Sequence, residues 1–98
     1  MQDFRALIED TRKLFKDPNC PRRYHKKIDD IGLNLESTAE QIYEFISDNR
    51  EMIEMKRESW YGYGFFLIDY CSDNIYYKSI NKILALFDIL NEQLSVTQ

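Results

Sequence analysis

Tyr76, Ile80, Ile83, Phe87, Leu90 and Leu94 follow one another at alternating steps of four and three residues. That rhythm is the period of an α-helix, so these side chains form one apolar line about 27 Å long. Ile75, Leu84, Leu86 and Ile89 widen the line past half the circumference. A helix this apolar is covered from two sides, either as the central helix of a bundle or as one half of a dimer face. The pattern predicts a helix over about 73–95, with Ser72, Asp73 or Asn74 as its cap.

The same period recurs upstream. Phe4, Leu7, Ile8, Thr11, Leu14 and Phe15 predict a helix over about 3–16, with Asp3 at its start and Lys13 and Lys16 at its negative end. Asp17-Pro18-Asn19-Cys20 breaks it, because Pro18 removes a donor and restricts the residue before it. Pro21 suits the first position of a second helix over 21–36, capped by Cys20 or Asn19. Its buried side is Tyr24, Ile28, Ile31 and Leu35, and Gly32 weakens it by up to about 1 kcal/mol relative to alanine.

Ser37 and Glu40 form a capping-box pattern that starts a third helix over 37–59. Its core side is Ala39, Ile42, Ile46 and Ile53, flanked by Tyr43, Phe45 and Met52. Gly62 and Gly64 interrupt the period there. Segment 65–72 reads as a short helix or a strand, but a lone strand would find no partner, since nothing else in the chain reads as β. The expectation is a single all-α domain over 1–98, an antiparallel bundle of four or five helices at about 3–16, 21–36, 37–59, 65–72 and 73–95.

Charge narrows the range of functions. The formal net charge is −4 and the pI about 4.9, which disfavours nonspecific binding to DNA or anionic membranes by the whole molecule. The longest apolar run, Phe65 to Ile68, falls far short of the ~18 residues a membrane span needs. No basic start followed by an apolar stretch opens the chain. The expectation is a cytoplasmic protein away from membranes, with Cys20 and Cys71 reduced.

The charges are also segregated. Arg12, Lys13, Lys16, Arg22, Arg23, Lys26 and Lys27, against Asp17 alone, give residues 12–27 a net +6. Residues 29–54 carry eight acids against Arg50, a net −7. At about 100° per residue, Glu40, Glu44, Asp48, Glu51, Glu54 and Glu58 fall on one side of the third helix, opposite Ile42, Ile46 and Ile53. Like charges four apart disfavour a helix by about 0.2–0.5 kcal/mol per pair, so local stability does not account for this arrangement. The face is either solvated, neutralised by the chain's own basic segment, or kept for a basic partner.

Eight of the fourteen aromatic residues fall between Trp60 and Tyr77. Phe65 to Cys71 is assigned to the core. Trp60, Tyr61 and Tyr63 lie beside two glycines in an expected turn, and Trp and Tyr are frequent binding hot spots, so these three are expected to be partly exposed anchors.

Catalysis needs a constellation that the sequence does not supply. His25 is the only histidine, and no Cys-x-x-Cys, His-Glu-x-x-His, phosphate-loop or Gly-x-Ser-x-Gly motif occurs. Gly62-Tyr63-Gly64 is too short for a phosphate cradle, and the acids do not have EF-hand spacing. Cys20, near Arg22 and Arg23, is a surface thiol in this reading, with a depressed pKa as the alternative. No cofactor, metal or enzymatic activity is expected.

Asp73-Asn74-Ile75-Tyr76-Tyr77 resembles the Asp-x-Ile-Tyr-Tyr stretch of nuclease-colicin immunity proteins, small acidic helical bundles that sit on a toxin nuclease. The resemblance covers five residues, and the proline that follows the tyrosines in that family is Lys78 here. It implies that Asp73, Tyr76 and Tyr77 would touch a toxin, although the helical period puts Tyr76 on the buried line.

The leading functional expectation is a small non-catalytic acidic binding protein. It would inhibit, protect or adapt a partner with a basic surface, such as a nuclease or another nucleic-acid-binding protein, as immunity proteins and phage inhibitors do. The contact residues would be Glu40, Glu44, Asp48, Glu51, Glu54, Glu58, Trp60, Tyr61 and Tyr63. One alternative is a nucleic-acid-binding regulator that uses Arg22, Arg23, Lys26 and Lys27 on phosphates. Another is a structural subunit whose last helix pairs with itself as a homodimer.

Overall fold

Residues 2–61 and 75–97 are described by the computed structural model. They form α1 (Gln2–Lys16), α2 (Arg22–Ile31), α3 (Ala39–Glu58), a 3-10 turn at Ser59–Tyr61, and α4 (Ile75–Thr97), with no strand among the described residues. The segment expected at 65–72, Cys71, and the cap expected at 72–74 lie outside them. The chain is an all-α helical bundle.

The side chains that meet fix the directions of the helices. Thr11 on α1 is hydrogen-bonded to Ser79 on α4, and the Phe15 ring meets Tyr76 edge-on at 5.5 Å. At the other end, Tyr43 lies 5.7 Å from Phe4 and 4.8 Å from Phe87. α1 and α4 are therefore antiparallel. α3 and α4 are antiparallel too: Arg50 reaches Asp88 with two hydrogen bonds of 3.0 and 2.8 Å, Arg57 reaches Asn81 at 3.1 Å, and Trp60 meets Tyr77 at 5.0 Å. α2 runs back down between α1 and α3. Its Tyr24 stacks on Tyr76 at 4.6 Å, and its far end at Gly32 faces the Phe45 ring. The result is an up-down-up-down arrangement.

α4 packs on two sides, but not over the full width expected: Leu84 is buried and Leu86 half-buried, while Ile75 and Ile89 are exposed. Tyr77, Ile80, Ile83, Leu84 and Phe87 are buried against α1 and α3. Ile89 and Leu94 remain about half exposed near its C-terminal end, at 52 and 53%. The core side of α1 is as expected, with Phe4, Ile8, Thr11 and Phe15 buried. Thr11 is tolerated there because its hydroxyl also bonds the Leu7 carbonyl at 2.9 Å.

α2 is shorter than its sequence pattern suggested. Pro21 is the N-cap, and the helix ends at Ile31 rather than at 36. Gly32 adopts φ +78°, the left-handed conformation that glycine takes without strain. The Gly32 N–H bonds the Asp29 carbonyl at 2.9 Å and the Leu33 N–H bonds the Ile28 carbonyl at 3.3 Å, the Schellman arrangement. Leu33 and Leu35 then anchor the connecting loop in the core. Gly32→Ala should lower stability by about 1–2 kcal/mol, because φ stays positive for a residue with a Cβ. That Cβ would also sit 3.0 Å from Phe45 Cζ. A urea midpoint unchanged from the wild type would refute this role for Gly32.

α3 starts at Ala39, two residues later than the expected 37, and its cap lies one residue beyond Ser37. Thr38 is the N-cap: its hydroxyl accepts from the Gln41 N–H at 3.1 Å, and Gln41 Oε1 accepts from the Thr38 N–H at 3.0 Å. Ser37 is held in the preceding turn, where its N–H bonds the Asn34 carbonyl at 3.1 Å and its own carbonyl accepts from Arg12 at 2.8 Å. A local kink interrupts α3 at Asn49, with φ −128° and ψ 20°. The Asn49 side chain donates to the Phe45 carbonyl at 2.9 Å, competing with the main-chain ladder at that turn.

Candidate functional site

The outer face of α3 carries Glu40, Glu44, Asp48, Glu51, Met55 and Glu58 at steps of four, four, three, four and three, and all are exposed. The kink does not turn this line inward. Ile42, Ile46, Ile53 and Trp60 stay buried on the opposite side, with Asn49 and Arg57 half-buried between them. The phase of the helix is therefore kept across the bend, and the ridge spans about 27 Å.

Its charge is not uniform. Glu40 pairs with Arg5 of α1. Its carboxyl is held below the usual carboxylate range, first by its own backbone N–H at the open start of α3 and then by the Arg5 guanidinium. Glu44, Asp48, Glu51 and Glu58 make no ion pair among the described residues.

Glu54 does not belong to the ridge. It is half-buried and bridges Arg50 and Arg57. A three-residue step from Glu51 turns it back toward the α4 side, where both arginines lie. The position it was expected to fill is taken by Met55, which is 70% exposed between Glu51 and Glu58. Reading the acids alone hid this methionine. The alternating four–three step from Asp48 would have found it.

The aromatic turn is corrected more strongly. Trp60 is only 6% exposed and packs on Tyr77, so it is core and not an anchor. It follows α3 in the 3-10 turn, which aims the indole at α4 rather than at solvent. Tyr61 ends that turn, its side chain lying outside the described residues along with Tyr63. Tyr77 is buried as well, in edge contact with Tyr24 at 5.3 Å. Tyr76 is half-buried against Tyr24 and Phe15. Their placement does not match the exposed anchors that the five-residue resemblance implies, and Asp73 lies outside the described residues.

The basic segment 12–27 is divided among several tasks. Arg12 is a structural residue, bonded to the carbonyls of Leu35 and Ser37 and paired with Glu9. Lys13 is exposed, and Lys16 pairs with Glu36 at 3.3 Å. Arg22, Arg23 and Lys26 are exposed on α2, and Lys27 is half-buried. The Arg23 guanidinium lies 4.8 Å over the Tyr24 ring. The ion pairs described for this segment go to Glu9 and Glu36, not to the α3 ridge.

Cys20 is buried, contrary to its reading as a surface thiol. Burial, opposed by a hydrogen bond from Tyr76, pushes its pKa up rather than down, which disfavours the reactive thiolate. His25 is exposed and meets Phe15 edge-on at 5.7 Å.

Beside α2 is a groove of about 350 Å³, bounded by α1 and the loop that follows α2. Its apolar lining is Phe15, Ile28, Leu33 and Leu35, and its charged lining includes Lys16, His25, Asp29 and Glu36. A second depression, lined by Arg22, Arg23 and Lys26, shares His25 and Asp29 with it. No group of His, Cys, Asp and Glu among the described residues is arranged to hold a metal ion, and no described helix is long and apolar enough to cross a membrane.

Comparison with protein-family models, curated proteins and solved structures finds no significant match to the chain.

Proposed function

We propose that this chain is a small non-catalytic binding protein that docks its α3 ridge on a basic surface of a partner protein, and so inhibits, shields or adapts it. The observation that carries the reading is the row Glu44, Asp48, Glu51 and Glu58, exposed and without an ion pair among the described residues. The Glu44–Asp48 pair opposes the helix it sits on by about 0.2–0.5 kcal/mol, an arrangement that a cationic partner would turn to advantage. Complementary charge speeds encounter and fixes orientation more than it adds affinity. Met55 gives the ridge one apolar contact, and an unbranched thioether adapts to an uneven partner surface. A nuclease, whose surface is basic because it holds nucleic acid, is the kind of partner this chemistry suits.

The test is affinity capture from extracts of the native host, with the full chain as bait and a triple variant Glu44→Gln, Asp48→Asn, Glu51→Gln beside it. A specific partner should be retained by the wild type, and its association should slow by about tenfold or more in the variant, or at about 1 M salt where charges are screened beyond about 3 Å. A partner held equally well by both proteins and at both salt levels would refute the ridge as the docking surface.

A further inference from the structure

We propose that the groove beside α2 receives the α3 ridge of a second copy of this chain, joining molecules head to tail. The proposal rests on the reading of the ridge as a protein-docking surface and names a partner for it.

Sign is the first argument. The ridge presents Glu44, Asp48, Glu51 and Glu58, while the depression adjoining the groove presents Arg22, Arg23 and Lys26 against Asp29 alone; the groove itself is balanced, with Arg12 and Lys16 against Asp29 and Glu36. Within one molecule these two surfaces sit on different helices and do not pair, since the described ion pairs of the ridge go to Arg5 alone.

Shape and polarity are the second argument. The ridge has one apolar side chain, Met55, set between Glu51 and Glu58 and 70% exposed. The groove has an apolar floor of Phe15, Ile28, Leu33 and Leu35 beneath a charged rim, with a volume of about 350 Å³ that accommodates a thioether side chain. A methionine entering that floor would carry its flanking carboxylates toward Arg22 and Lys26 of the adjoining depression. Burial of one Met side chain contributes on the scale of a single hot-spot contact.

The rim is also ready to exchange partners. Lys16 and Glu36 are paired at 3.3 Å with both side chains 62% exposed, so an incoming carboxylate replaces Glu36 at little cost. Such a contact joins unlike surfaces. Each added copy leaves one ridge and one groove open, which makes an open chain or a ring rather than a symmetric pair.

The experiment is sedimentation of the full chain at about 0.01 M salt, where charges act over about 30 Å, and at about 1 M, where they act over about 3 Å. The wild type should gain mass with concentration at low salt and return to monomer at high salt. A ridge variant, Glu51→Lys with Met55→Ser, and a groove variant, Arg22→Glu with Lys26→Glu, should each stay monomeric alone. Mixed in equal amounts, they should give a dimer and nothing larger, because one intact ridge meets one intact groove. All substitutions are at exposed positions. The helical circular dichroism signal and thermal midpoint should match the wild type, and the milder single variants Glu51→Gln and Lys26→Gln should weaken association several-fold. A wild type that stays monomeric at every concentration at low salt would overturn the proposal, as would variants that associate alone but gain nothing on mixing. In either case, capture of a basic partner by the ridge would leave the docking reading intact.

Discussion

Replacing Trp60 with alanine should lower the unfolding free energy by about 3–5 kcal/mol, the range for removing a large buried ring. A domain of this length has about 5–15 kcal/mol in total, so the variant would lose a large share of its stability. The thermal midpoint should fall by on the order of 20 °C. The effect is this large because the indole is the link between two layers of rings. It lies 5.0 Å from Tyr77, which meets Tyr24 at 5.3 Å, and Tyr24 stacks on Tyr76 at 4.6 Å, which in turn touches Phe15 at 5.5 Å. These contacts tie the end of α3 to α4, α2 and α1 at one end of the bundle.

Trp60→Phe keeps an apolar ring in place and should cost less than the alanine change, because it leaves a smaller cavity. Urea unfolding of both variants measures the difference directly, since a changed midpoint at constant slope is a change in stability. The opposite outcome is also defined. A Trp60→Ala protein within about 0.5 kcal/mol of the wild type, but deficient in partner capture, would restore the tryptophan as an exposed anchor and remove it from the core.

How far the fold was readable depends on which force set each feature. The buried sides of α1 and of most of α4 were plain because apolar spacing alone determines them: Phe4, Ile8, Ile80, Ile83 and Phe87 are buried where the period put them, whereas Leu94 at the end of the same line is exposed. The end of α2 was not, because Leu35 continues the helical step past Gly32, and periodicity does not register a positive φ. The start of α3 held two overlapping signals, Ser37 with Glu40 and Thr38 with Gln41. A contact from Arg12, twenty-five residues away, helps hold Ser37 in the turn and leaves Thr38 as the cap.

The site follows the same division. Glu44, Asp48, Glu51 and Glu58 were visible as a phase on a helix wheel. Glu54 was misread because a wheel does not show Arg50 and Arg57 drawing it aside, and Met55 was missed because attention to charge passed over an apolar residue in an acidic row. Trp60 followed a turn rule that is correct for exposure on average, but the orientation of the 3-10 turn against α4 decided it.

Replacing Arg12 with alanine should cost about 2–4 kcal/mol, an unusually large loss for a single charged residue outside an active site. The loop between Gly32 and Thr38 has no continuous ladder for its carbonyls, and unpaired main-chain groups out of water are expensive. Arg12 Nε donates to the Leu35 carbonyl at 2.5 Å and its terminal amine to the Ser37 carbonyl at 2.8 Å, while the Arg12 side chain itself is only 18% exposed. Hydrogen bonds from a charged donor contribute about 1.5–3 kcal/mol each, and water entering the vacated space recovers part of the loss. The Glu9 pairing adds little, because Glu9 is half exposed; Glu9→Gln should change stability by less than about 1 kcal/mol. Arg12→Lys separates charge from geometry: an ammonium cannot reach both carbonyls as a planar fork does, so lysine should recover less than half of the loss. Amide exchange should place the defect at residues 33–38, well below the protection of α4. If Arg12→Ala instead lost under about 1 kcal/mol with that loop still protected, the buried side chains of Leu33 and Leu35 would be what holds it, and the guanidinium contacts would be incidental.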